Sequence, residues 1–130
     1  MLVDGIRRRR LPVIRHGGVQ PWVHIEDAAA ATVAALQHGT AGAAYNIADD
    51  EPVSFSELVT TLAAARHAPR PRAVPSWLLI ATPYAKAVMT GGLRVSSAKA
   101  RNELGWTPTW PTYREGVAAL VTQYQRRDAT

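Results

Sequence analysis

Residues 28–36, Ala-Ala-Ala-Ala-Thr-Val-Ala-Ala-Leu, are a run of strong helix formers. A helix this apolar needs cover over much of its surface, and the rest of the chain offers little cover. Leu11-Pro-Val-Ile is a short apolar run. Gly17-Gly18 marks a turn, and Pro21-Trp-Val-His-Ile is a second β-rich run. Ala43–Ala48, centred on Tyr45-Asn-Ile, is expected to be a buried strand, and Ala73-Val74 a short one. A chain of 130 residues has room for one domain with a modest core. So thin a sheet is a poor partner for an alanine-rich helix, and the pattern reads as part of a larger α/β fold.

Local signals place the helices. Asp27 precedes the alanine run and suits its N-cap, because a carboxylate can accept the free N–H groups of the first turn. Gly39 and Gly42 are expected to close that helix. Ser54 and Glu57 form an S-x-x-E capping box, after which Phe55, Leu58, Val59 and Leu62 share one face of a helix running to Arg66. Residues 76–90 are apolar and helical in pattern, with a break expected at Pro83 and an end at Gly91-Gly92. Ser96 or Ser97 starts a short helix to Leu104, with Gly105 placed as its C′ residue. Thr112 and Glu115 open the last helix, which continues to Arg127.

Composition excludes several classes. Hydrophobic residues make up 47% of the chain, an ordinary globular share. With no cysteine there is neither a disulfide nor a thiolate metal site, which fits a cytoplasmic protein. The four histidines lack metal-ligand spacing, so no metal is expected. No segment reaches the roughly 18 apolar residues of a membrane span, and Met1–Arg10 has arginines without an apolar h-region, so no secretory signal is expected. Lys and Arg exceed Asp and Glu by 15 to 10, with Arg7–Arg10 in one run. Nucleic acid is not the expected partner, because the tryptophans are scattered among packing positions and make no stacking platform.

Five segments, in order, carry a resemblance. They are Trp22-Val-His-Ile-Glu-Asp-Ala-Ala, Tyr45-Asn-Ile, Pro52-Val-Ser-Phe-Ser-Glu-Leu, Ser97-Ala-Lys-Ala-Arg-Asn-Glu-Leu-Gly-Trp-Thr-Pro and Tyr113-Arg-Glu-Gly-Val. Together they resemble the C-terminal, substrate-side part of the extended short-chain dehydrogenases/reductases, the NAD-dependent epimerase/dehydratase family. The resemblance implies a C-terminal portion of a Rossmann-type α/β fold, with roughly two to four short strands and about five helices. It also implies that 1–130 is a single partial domain without the dinucleotide-binding portion.

The family's chemistry is only partly present. Gly39-Thr-Ala-Gly42 follows a helix where a phosphate loop would open one, and Tyr45 stands where a third glycine would fall. The acid/base Tyr-x-x-x-Lys is missing. Four positions after Tyr45, Tyr84, Tyr113 and Tyr124 stand Asp49, Val88, Val117 and Asp128. No catalytic or cofactor-binding residue is therefore expected in this chain, and NAD or NADP is implied only for a full-length relative.

The resemblance points to Gln20, Trp22 and Arg94 as substrate-binding. Gln20 departs from the family's arginine and Pro21 from its acidic residue, which puts a nucleotide-sugar substrate in doubt, although Arg94 could compensate. His24, Asp27, Asn46 and Trp106 are expected to be structural. His24 and Asp27 could also suggest acid/base chemistry, and Trp106 and Trp110 a ligand cage, but cap and core roles are the plainer reading.

The expected function is the substrate-binding segment of an NAD(P)-dependent epimerase, dehydratase or reductase, inactive alone, with a small-molecule substrate in a full-length relative. The alternative is a non-catalytic module derived from that fold that binds itself or a partner; a second copy or the missing N-terminal portion is the expected macromolecular partner.

Overall fold

The computed structural model describes residues 13–15, 17–77, 84, 87 and 90–128. Leu11, Pro12, the Arg7–Arg10 run and the expected break at Pro83 lie outside the described residues. Tyr84, Ala87 and Thr90 are helical, and Gly91 N donates to Ala87 O at 2.9 Å, so that helix stops at the expected glycines.

Among the described residues, four two-residue strands make two small sheets. β1 (Val13–Ile14) pairs in parallel with β4 (Ala73–Val74), while β2 (Val19–Gln20) pairs antiparallel with β3 (Val53–Ser54). Leu93 N donates to Val19 O at 2.9 Å, which brings residues 91–93 against β2. The two backbones approach so closely that a Cβ at Gly18 would sit 2.2 Å from Gly91 O, so only glycine fits there.

The described helices are α1 (Ile25–His38), α2 (Phe55–Ala65), α3 (Ala98–Leu104) and α4 (Tyr113–Asp128). They pack as two pairs, because the apolar faces are matched two by two. Val59, Leu62 and Ala63 of α2 bury against Val117 and Val121 of α4 and against Val13, with Phe55 and Leu58 partly buried at the edge. This is the face expected from the sequence. Ala31 of α1 meets Ala100 and Leu104 of α3, with Trp106 filling the gap. Gly105 turns the chain at φ +64 after α3, a conformation glycine adopts without strain. No helix among the described residues is long and apolar enough to cross a membrane.

Three local expectations are corrected. The second extended run is not at 21–25. The strand is β2, two residues earlier, and α1 already begins at Ile25. Its N-cap is His24, not Asp27. His24 Nδ1 accepts from Glu26 N at 3.3 Å, so the ring occupies the capping position and Asp27 falls inside the first turn. Tyr45-Asn-Ile forms no strand, since no described segment runs beside it to share a ladder. It is tied down instead by Thr40 N donating to the Tyr45 hydroxyl at 3.1 Å and by Lys99 donating to Ala44 O at 3.1 Å.

Candidate functional site

The segment from β2 to α1 holds the first two candidates. Gln20 is half-buried and lines a recess with Pro21, Ala87 and residues 91–93. Trp22 faces elsewhere. Its indole N–H donates to Val53 O at 2.9 Å and its ring lies 6.1 Å from that of Phe55. The Trp22 carbonyl accepts from Asp49 N at 2.7 Å, which seats the 48–50 segment beside it.

Arg94 is exposed and lines a polar recess at the start of α3, with Asp49, Asp50, Ser96, Ser97 and Arg101. There Arg101 makes an ion pair with Asp50 at 2.6 Å, and its Nε donates to Ser97 Oγ at 3.4 Å. Ser97 holds the N-cap position, but Ser96 Oγ accepts from Ala98 N at 3.3 Å. With Arg101 taken up by Asp50, the Arg94 guanidinium and the two serine hydroxyls could hold an oxygen-rich part of a small molecule.

Asp49 lies between this recess and a second, more apolar cavity that Trp22 lines. Burial is the main reason its carboxyl is pushed from 3.8 to about 6. The Glu51 backbone N–H opposes the rise, while the charges of Asp50 and Glu51 add to it. Gln20, Trp22 and Arg94 thus line three separate recesses, and Asp49 links two of them. Asp49 and Arg101 escaped the sequence reading. The acidic run Asp49-Asp50-Glu51 before Pro52 was the available signal, but nothing in it marks which carboxylate is buried.

The four residues expected to be structural are placed as follows. Asp27 is 1% exposed, and its carboxylate accepts from Thr109 N at 2.8 Å and Trp110 N at 3.0 Å. Buried Trp106 donates its indole N–H to the Asp27 carbonyl at 3.1 Å. His24 caps α1 and packs its ring 4.1 Å from that of Trp110. Asn46 is exposed.

The Gly39–Gly42 stretch does not have the setting of a dinucleotide phosphate loop. Gly39 and Gly42 stand just past the C-terminal end of α1, where carbonyl oxygens and the negative end of the helix dipole face an incoming anion.

No protein-family model matches the chain. A 3-diazoavenalumate denitrifying reductase from a Streptomyces species is 32% identical over 111 residues, which are 83% of this chain and 36% of that protein. A conserved protein of unknown function from Silicibacter pomeroyi superposes with a TM-score of 0.77 at 32% identity, over 87% of this chain and 40% of that one. A human epimerase family protein with NADPH superposes with a TM-score of 0.77 at 18% identity, over 93% of this chain and 42% of that one. The chain has the fold of the C-terminal part of the extended short-chain dehydrogenases/reductases. Within that fold it spans 36% of the Streptomyces reductase and 40% of the Silicibacter protein. Of the five segments with the resemblance, four lie at the start of α1, on β3 and α2, on α3 with its αL glycine, and at the start of α4, while Tyr45-Asn-Ile forms no strand.

Proposed function

We infer that this chain is one partial domain forming the substrate side of an NAD(P)-dependent epimerase, dehydratase or reductase. The recess around Arg94 supports this reading, because it offers one guanidinium and two hydroxyls beside the Arg101–Asp50 ion pair. The nicotinamide would exchange a hydride with an alcohol or carbonyl group of the substrate. Its binding loop and the acid/base tyrosine-lysine pair would come from residues outside this chain. Here, Arg94, Ser96 and Ser97 would orient the substrate, while Trp22 lines the neighbouring cavity that Asp49 separates from this recess. A cysteine-free chain fits the reducing cytoplasm.

A chimera tests this reading. The chain would replace the matched region of the Streptomyces reductase, leaving that protein's remaining portion to supply the dinucleotide site. The expected result is stoichiometric NAD(P)H binding, with hydrogen-exchange protection spreading over α1. A folded chimera in which α1 stays as exposed as in the isolated chain would contradict it.

A second reading, a self-associating module, is favoured by one feature. Ile25, Ala29, Val33 and Leu36 form an exposed stripe along α1, with Ile25 72% and Leu36 83% accessible. Such a stripe is a surface for a sheet or for a second copy of the chain.

A further inference from the structure

The recess at the start of α3 has about 460 Å³ of space, in the range of small-molecule sites. Two arginines and two aspartates line it, Arg94, Arg101, Asp49 and Asp50, so its formal charges cancel when all four are ionised. They are not evenly matched in space. Asp50 takes Arg101 at 2.6 Å. Asp49 is 8% exposed with Oδ1 shut away from solvent, and no ion pair among the described residues joins it to either arginine. Arg94 is exposed and has no carboxylate partner among the described residues.

The two serines add donors. Ser96 Oγ accepts from Ala98 N at 3.3 Å and Ser97 Oγ from Arg101 Nε at 3.4 Å, so each hydroxyl keeps its hydrogen to give. Arg94 and Ser96 are two positions apart, which holds their Cα atoms within about 7 Å, inside the reach of an arginine side chain. One guanidinium fork and two O–H groups in one recess suit a group with a single negative charge and two acceptor oxygens. A diphosphate brings more negative charge than one unpaired cation matches, and sets it beside Asp50. Gln20, where the family has an arginine, lines another recess and adds nothing to this one.

Resting on the substrate-side reading of this recess, we propose that it selects a small carboxylic acid over a nucleotide diphosphate, the carboxylate accepting from Arg94 and from the Ser96 and Ser97 hydroxyls. Asp50 is then a specificity-determining residue. By holding Arg101 in an ion pair, it keeps that guanidinium from serving as the second cation a diphosphate needs.

Titration of the full chain with lactate, lactamide and inorganic pyrophosphate at fixed ionic strength, followed by NMR of the Arg94 Nε–H and the Ser96, Ser97 and Ala98 amides, tests it. Lactate is expected to give saturable shifts there. It should bind at least about tenfold more tightly than its neutral amide, the factor expected for one charge-assisted hydrogen bond, and more tightly than pyrophosphate. Arg94→Gln should abolish the lactate shifts. Asp50→Asn, which releases Arg101, should reverse the order, so that pyrophosphate binds more tightly than lactate. If that variant does not fold, the three probes on the unmodified chain still decide. Lactamide binding as well as lactate, pyrophosphate binding more tightly than lactate on the unmodified chain, or an unchanged order in folded Asp50→Asn overturns the proposal and leaves the substrate-side reading standing. No saturable shift with any of the three overturns both.

Discussion

Asp27 and Trp106, 79 positions apart, are joined through the Asp27 carbonyl, which accepts the Trp106 indole N–H at 3.1 Å. The Asp27 carboxylate meanwhile takes the backbone N–H groups of Thr109 and Trp110. One residue in the first turn of α1 therefore anchors the whole connection from α3 to α4.

Replacing this carboxylate leaves two backbone donors without their charged acceptor. Asp27→Ala is expected to lower stability by about 2–4 kcal/mol, more than a lost surface cap. Asp27→Asn, which keeps one acceptor, should cost less. Urea midpoints of the three proteins measure this, and an unchanged midpoint for Asp27→Ala would show that the loop is held by other contacts.

This anchor also shows what the sequence made legible. α2 could be read directly, because its capping serine and its apolar face lie within eleven residues, and Ser54 Oγ does accept from Glu57 N at 3.2 Å. Gly105 and the buried Trp106 were equally local signals. Asp27 looked like a cap because its true partners lie more than 80 positions away. Tyr45-Asn-Ile has strand composition, but a strand is made by its neighbour, and no described segment takes that place. At the candidate site, the family resemblance named Trp22 and Arg94. It could not reveal Asp49 between their recesses, because burial of one carboxylate among three acidic neighbours is a property of packing.

Asp49 gives a pH signature. Its folded-state value, raised from 3.8 to about 6, means that the folded chain binds this proton more tightly than the unfolded chain does. The corresponding stability is complete below about pH 3.8, is lost as pH rises through about 6, and stays lost above it. Asp49→Asn should therefore melt higher than the unmodified chain at pH 7, with the difference shrinking toward pH 4. Thermal melts of both proteins across this range check it, and a pH-independent difference would rule the effect out.

The stripe on α1 predicts association. At micromolar concentration, light scattering should give the chain a mass above that of a monomer, and Val33→Glu with Leu36→Glu should return it to monomer without loss of helix. If the unmodified chain is a clean monomer with a cooperative transition and no dye-binding apolar surface, the stripe is not a docking face.

The central claim is that this chain supplies the substrate side of a dehydrogenase/reductase fold and none of its hydride chemistry. Calorimetric titration of the 130-residue chain with NADH and NADPH, paired with an absorbance assay for nicotinamide turnover, tests it most directly. The account predicts heats of dilution alone and no change in nicotinamide absorbance. One-to-one binding of either dinucleotide accompanied by turnover would contradict it.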